Sequence, residues 1–312
     1  MLILFLKSAV IAGTPLLFAI LGAMFNERVG NLNLGIEGMM LLGAVAGFQA
    51  AIYSNNPFIA LLFAMIFGSL GALIYAFLTV TLRTNQVVTG LTLTIFGTGL
   101  ARFHGQKLMG MVLPEDFSRH FKPLSIPFLH EIPVLGPFLS IFLEQDLFVY
   151  LGFVSAILSG IYLFKTRPGL NLRAVGESTA SADASGINVT LYKYIHILLG
   201  GALCGLGGAY LSLVYVPSWQ ENITSGRGWI AVALVIFTSW NPYKAIGGAI
   251  LFGGLDILGF RIQSLNIPVN QYFLRMMPYL ATIIVIIIGS IRKSSRHTPP
   301  KDLGNPYFRE ER

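Results

Sequence analysis

Charge is what this 312-residue sequence has least of. Asp, Glu, Lys and Arg make up 11% of it, hydrophobic residues make up 54%, and mean hydropathy is +0.69. Soluble domains carry about 25% charged residues, so this chain has too little polar surface to cover itself in water, and the bilayer is its natural solvent. Cysteine is nearly absent too. Cys204 stands alone, which excludes an internal disulfide framework and any cysteine-rich metal site. There is no G-x-x-x-x-G-K-[ST] run, hence no P-loop for ATP. G-x-S-x-G and H-E-x-x-H are missing, and His104, His120, His130, His196 and His297 have no ligand spacing. The sequence therefore offers no nucleophile elbow and no metal centre, and no cofactor is expected. No basic stripe interleaved with aromatics points to nucleic acid, so the net charge of +7 reads as orientation against an anionic inner leaflet.

What the sequence does have is long apolar runs. A spanning helix needs roughly 20 mostly apolar residues, and nine segments reach or approach that length: 2–25, 34–53, 57–82, 87–103, 147–164, 191–215, 229–240, 244–260 and 277–291. The first has no basic region before it and is too long for the apolar part of a signal peptide, so it reads as a span. The seventh and eighth are short and joined only by Asn241, Pro242 and Tyr243. The expected fold is all-α, a polytopic bundle of about nine (eight to ten) transmembrane helices. It forms one transmembrane domain over 1–291, followed by a basic tail over 292–312.

With that tail in the cytoplasm, nine spans put the N-terminus outside. Thirteen of the 21 Lys and Arg residues then lie inside, the sign that orientation rules require. Two loops are long. The segment 105–146 would be external, and its prolines (Pro114, Pro123, Pro127, Pro133, Pro137) with many Phe and Leu residues suggest an ordered cap on the membrane surface. The segment 166–190 would be cytoplasmic. A Gly-rich apolar run, then Asn56-Pro57-Phe58, then another Gly-rich run recurs in order around Asn241-Pro242-Tyr243. On opposite sides of the membrane these would mark an inverted repeat, although Asn-Pro is also a common turn between helices.

Polar residues stand out against this background. Gly30-Asn31-Leu32-Asn33-Leu34-Gly35-Ile36-Glu37-Gly38 places two amides and a carboxylate at the head of a span. Such groups face a cavity or a partner inside a membrane, and three glycines favour a broken backbone, tolerated only against protein or water. Asn31, Asn33 and Glu37 are therefore candidates for the wall of a solute path, with pairing of Glu37 to a neighbour such as Arg28 as the structural alternative. Arg227, between two glycines, is a fourth candidate. Asp256 fits a helix-end pair with Lys244 or Arg261. The small residues Gly201, Gly205 and Ala209, like Gly43/Gly47 and Gly68/Ala72, read as close helix packing. In 166–190, Ser178 or Thr179 can cap a short Ala-rich helix that Gly186 ends, a shape suited to a shallow cleft on a partner protein.

Four ordered blocks carry a resemblance. Asn31-Leu32-Asn33-Leu34-Gly35-Ile36-Glu37-Gly38-Met39-Met40, with Leu41-Leu42-Gly43-Ala44 after it, resembles the second span of ABC-importer permeases for nucleosides and simple sugars (the branched-chain amino acid/ribose-like permeases). Arg173-Ala174-Val175-Gly176-Glu177 with Ala184-Ser185-Gly186-Ile187-Asn188-Val189 is similar to that family's cytoplasmic coupling region. Gly205-Leu206-Gly207-Gly208-Ala209 and Gly226-Arg227-Gly228-Trp229-Ile230-Ala231-Val232-Ala233-Leu234 match its next two blocks. The Glu-Gly form of the first block looks more like nucleoside-type permeases than ribose-type ones.

The resemblance implies a permease subunit, not an enzyme, in the bacterial cytoplasmic membrane. It implies a second permease chain, identical or different, two cytoplasmic ATP-binding subunits, and an extracytoplasmic solute-binding protein, often a lipoprotein. Arg173, Glu177, Ser178, Ala182, Asp183, Ala184 and Gly186 would then belong to the region that couples to the ATPase. The coupling block departs from the family's more usual Asn-Pro-x-Ala-Ala form, and the external loop is long; both bear on the solute, for which a simple sugar and riboflavin stand behind a nucleoside. Rival classes are an ion-gradient carrier and an intramembrane enzyme, and few titratable residues at membrane depth favour either.

Overall fold

The computed structural model describes residues 2–127, 132, 135–264, 270–291 and 299–308. Among them the regular structure is helical, with one isolated bridge between Val112 and Ser218. In chain order the α-helices are α1 (Leu2–Arg28), α2 (Ile36–Ser54), α3 (Pro57–Ala76), α4 (Gln86–Gly105), α5 (Glu115–Arg119), α6 (Leu135–Leu143), α7 (Leu147–Lys165), α8 (Arg167–Glu177), α9 (Thr179–Ala184), α10 (Val189–Tyr210), α11 (Arg227–Phe237), α12 (Pro242–Ser264) and α13 (Gln271–Ile291). Helices α3 and α10 each continue through a π-helical turn, to Thr81 and Tyr215.

Every one of the nine apolar segments falls on a helix, but among the described residues six helices are long and apolar enough to cross a membrane: α1, α2, α3 through Thr81, α7, α10 through Tyr215, and α12. Helix α4 is more polar, with threonines at 89, 92, 94 and 98. Helix α11 has 11 residues, which at 1.5 Å each span about 16 Å, half of a hydrocarbon core. The non-helical segment 216–225 precedes it.

Side-chain caps set the helix starts. Asp146 Oδ1 accepts from Phe148 N and Val149 N at 2.9 and 3.0 Å, Asn85 Oδ1 from Val88 N at 3.0 Å, and Asn188 Oδ1 from Leu191 N at 3.0 Å. Asn56 and Asn241 do the same ahead of their prolines, taking Phe58 N and Tyr243 N at 2.9 Å each. Asx capping with Pro in the first turn is locally favourable, so each Asn-Pro turn has a sufficient cause of its own, without reference to an inverted repeat.

Helix α10 occupies the middle of the bundle, and its small residues let three neighbours approach. A Cβ on Gly200 would meet Gly22 O and the Asn26 amide of α1; on Gly201, Ala72 and Gly68 of α3; on Gly205, the Ala64 carbonyl of α3; on Gly208, the Met40 carbonyl of α2. Gly43 of α2 likewise has no room for a side chain against Gly205. The small-residue stripes found in the sequence thus pack on one another within this chain, where dispersion rather than water drives association.

The segment 105–146 is an ordered cap where it is described. Phe117, Phe121 and Phe148 form a ring cluster that reaches Tyr210, and Lys7 Nζ donates to Glu144 Oε2 at 2.7 Å. Pro133 and His130 lie outside the described residues. At the opposite end of the chain, residues 299–308 turn back onto the bundle, so the basic tail foreseen over 292–312 is docked in its middle part. Arg292, Lys293, Arg296, Arg309 and Arg312, which gave the tail its charge, lie outside the described residues.

Candidate functional site

The polar turn between α1 and α2 is non-helical, as its glycines require. Gly30 has φ +86°, and Asn33 Oδ1 accepts from Gly35 N at 2.8 Å, closing the turn into α2. The Asn33 amide also points at Met39 Sδ, 3.7 Å away. Asn31 is 1% exposed and lies by the Tyr75 hydroxyl, which donates to Leu32 O at 2.8 Å. Gln86 Oε1 accepts from Leu32 N at 2.7 Å. Asn33 is therefore built into the turn, while Asn31 is buried beside it.

Glu37 reaches across to α11. Its Oε1 accepts from Thr224 Oγ1 at 2.5 Å and Gly226 N at 2.8 Å, and its Oε2 accepts from Gly228 N at 2.6 Å. A helix N-terminus carries unsatisfied N–H groups and about half a positive charge; here a buried carboxylate from another helix fills that position. Gly226 has φ +82° and Gly228 lies against the Glu37 backbone, so neither position has space for a side chain. Glu37 thus pairs with α11 and not with Arg28.

The far end of α11 is pinned as well. Trp240 Nε1 donates to Glu27 Oε2 at 2.6 Å, and Arg28 Nε and Nη2 donate to Trp240 O at 3.3 and 3.0 Å. Ser239 and Trp240 hold φ values of +56° and +53°, uncommon for residues with side chains. A turn of that kind persists where its surroundings over-determine it, and α1 supplies those bonds. Arg227, the first residue of α11, donates to Asp256 Oδ2 at 3.0 Å and sits 5.6 Å from the Tyr215 ring centroid. Asp256 is therefore paired with Arg227, and Arg261 lies over the Phe5 ring. Glu27, Trp240 and Thr224 were missed in the sequence. Glu27 sits in Asn26-Glu27-Arg28 and reads there as the polar end of a span; only the fold reveals it as 3% exposed.

A cavity of about 480 Å³ opens between α2, α3 and α4. Gln49, Tyr53, Ser54 and His104 supply polar atoms to a wall otherwise made of Ile59, Phe63, Phe67, Leu100 and aliphatic residues of α2. None of Asn31, Asn33, Glu37 or Arg227 lines it.

The coupling candidates gather around α9. Ser178 Oγ caps it by accepting from Ser181 N at 3.4 Å, and Gly186, with φ +83°, follows its end. Its inner face is Thr179 and Ala182, both buried, and Asp183 accepts from the Tyr307 hydroxyl at 2.7 Å. Its outer face is Ala180, Ser181, Ala184 and Ser185, all exposed. Ala182 therefore holds the helix down, while Ala180, Ser181 and Ser185 belong with Ala184 and Gly186 on the free side. Arg173 of α8 lies over the Phe164 ring at 5.7 Å, and Glu177 is exposed.

The family described as branched-chain amino acid transport system / permease component matches residues 5–288. TsgC13 of Haloferax volcanii, provisionally named a glucose ABC transporter permease protein, is 36% identical over 98% of this chain and 97% of its own. The nucleoside ABC transporter permease protein NupC of Lactococcus lactis is 35% identical over 89% of each chain. The guanosine ABC transporter permease protein NupQ of Bacillus subtilis is 33% identical over 98% of this chain and 96% of its own. An all-helical bundle with a pinned half-length helix and a small-residue helix at one end, matched over nearly its whole length, belongs to this family of ABC transporter permeases.

Proposed function

We propose that this chain is the permease subunit of an ATP-binding-cassette importer that conducts a nucleoside across a bacterial cytoplasmic membrane. A second permease chain, two ATP-binding subunits and an extracytoplasmic solute-binding lipoprotein complete the assembly. The observation that carries the mechanism is α9: a short helix whose outward side chains are all small and uncharged. Such a face enters a groove on a partner without desolvating a charge. ATP-driven closure of the ATPase pair then displaces α9, and the bundle alternates between outward and inward openings, with no covalent chemistry in this chain.

Glu37 and Arg227 act on the solute path by fixing its wall. A half-helix N-terminus in a transporter commonly faces an anionic group of the solute; here Glu37 already occupies that position. That helix N-terminus is thereby closed to an anion, which suits a neutral solute. Asn31 and Asn33 set the turn from which α2, the Glu37 helix, starts. The 480 Å³ cavity, with aromatic faces from Phe63 and Phe67 beside Gln49 and His104, suits stacking on a nucleobase with hydrogen bonds at its edge. The relatives named for nucleoside and guanosine transport support the same cargo. A simple sugar is the second reading, favoured by the relative named for glucose; riboflavin stands third.

The test is uptake of radiolabelled guanosine, glucose and riboflavin into proteoliposomes holding the chain with its copurifying partners. ATP-dependent accumulation of guanosine is expected. Accumulation of glucose alone moves the cargo to the second reading, and accumulation driven by an ion gradient without ATP overturns the class. On the same vesicles, Ala184→Leu on the free face of α9 should lower uptake at unchanged thermal stability.

A further inference from the structure

Residues 299–308 run along the end of the bundle that carries α8 and α9 and bond to each polar element gathered there. Asp302 N donates to Gly176 O of α8 at 3.0 Å, and Gly304 N donates to Gly30 O of the α1–α2 turn at 3.2 Å. Gln86 Nε2 donates to Asn305 O at 3.5 Å, and the Arg83 guanidinium lies 4.9 Å from the Phe308 ring centroid. Gly30 and Gly304 meet in left-handed conformations, φ +86° and +85°, which lets the two backbones approach.

Two of the bonds go to α9 itself. Thr179 N donates to Asp302 Oδ2 at 2.6 Å, and Tyr307 Oη donates to Asp183 Oδ2 at 2.7 Å. The first is at the head of the helix and the second near its end, so α9 is gripped along its length. A helix of six residues does not persist alone in water, because its nucleation cost is recovered over too few bonds. Its buried face is small, Thr179 and Ala182, so its position depends as well on what holds its ends: Ser178 from its own chain segment and residues 299–308 from far away.

We propose that 299–308 is a positioning strap for α9, with Asp302 and Tyr307 the residues that set the helix, and that it makes α9 and the Gly30–Asn33 turn move together. The turn continues directly into α2, whose Glu37 holds α11. A displacement of α9 thereby reaches the half-length helix through the strap as well as through α8. This rests on the reading that α9 is the element the ATPase moves.

The experiment uses the full complex in proteoliposomes and compares the wild type with Asp302→Ala, Tyr307→Phe and a chain ending at His297. Solute carried per ATP hydrolysed is read beside amide exchange of the peptide covering 179–186. Losing one charge-assisted bond predicts exchange about ten-fold faster in Asp302→Ala, with the ATPase still copurifying and solute per ATP reduced. Asp302→Asn, which keeps an acceptor, should recover most of both. Unchanged exchange, or faster exchange with unchanged solute per ATP, overturns the strap. Loss of ATPase copurification in Asp302→Ala also overturns it, because the segment would then be a docking contact rather than a positioning one. Ala184→Leu separates the two ideas: if it leaves uptake intact, the coupling role of α9 fails whatever the strap variants do.

Discussion

The helices α11 and α9 are both short, with 11 and six residues, and each has first-turn donors met by a carboxylate from elsewhere in the chain. Glu37 serves α11 across 191 positions of sequence to Gly228, and Asp302 serves α9 across 123 to Thr179. The two ties differ in what surrounds them. Glu37 is 4% exposed and takes three donors within the bundle; Asp302 is half-buried and takes one from α9. A buried carboxylate with all donors aligned is costly to disturb, because removing it leaves desolvated N–H groups without a partner. A half-exposed one can exchange its bond for water. The difference separates a fixed element from an adjustable one, and it matches the roles proposed: α11 shapes the path and α9 moves.

The comparison breaks most visibly at Glu37. Glu37→Ala should destabilise the chain by roughly 3–5 kcal/mol, a large share of a typical folding free energy, read as a lowered unfolding temperature in detergent and poor yield of folded protein. Glu37→Gln keeps the shape but replaces one acceptor with a donor facing Gly226 or Gly228, and should cost about 1–3 kcal/mol. A Glu37→Gln protein as stable as the wild type would mean that the carboxylate is not what holds α11. Next in size is the other end of that helix. Trp240→Phe removes the indole donor to buried Glu27 and should cost about 2 kcal/mol; an unchanged unfolding temperature would place the anchor in the Arg28 bonds to Trp240 O instead.

Much of this was legible in the sequence, and the limits follow from distance along the chain. The helical segments were visible because apolar runs are local. The broken turn at 30–35 was visible because three glycines and two asparagines have local conformational consequences. The cap at Ser178 was equally local. What stayed hidden was pairing. That Glu37 meets Gly226 and Gly228, that Asp256 meets Arg227, and that Glu27 meets Trp240 depends on how α1, α2, α11 and α12 pack, and no spacing rule encodes that. Arg28 was the nearest opposite charge to Glu37 in sequence, yet it turns to a carbonyl of Trp240. Asp302 and Tyr307 were hidden for another reason: a charged C-terminal segment reads as a solvated tail, and its bonds to Thr179 and Asp183 appear only in three dimensions. The face of α9 was a register problem, since six residues carry too little periodicity to tell Ala182 from Ala184.

Weaker ties sharpen the contrast. Asp302→Ala should cost about 1.4 kcal/mol, the ten-fold faster exchange expressed as a free energy, while still changing solute carried per ATP. A stability loss as large as that of Glu37→Ala would erase the distinction between the two helices. The smallest effect is expected at Asp146, which caps α7 as Glu37 caps α11 but from the adjacent residue. Asp146→Ala should cost about 1 kcal/mol through the lost cap, whereas Asp146→Asn keeps the acceptor to Phe148 and Val149. Burial raises the Asp146 carboxyl above its ordinary value, so the native state binds that proton more readily than the unfolded chain does. The stability it contributes is then greatest in acid and declines as pH rises through the raised pKa. Asn at this position removes the titration, so the variant should gain on the wild type as pH rises from about 4 to 7. Unfolding temperatures measured at both pH values decide it: a gap that stays constant, or widens in the wild type's favour, means that the cap and the Tyr210 hydroxyl bond outweigh the cost of burying the charge.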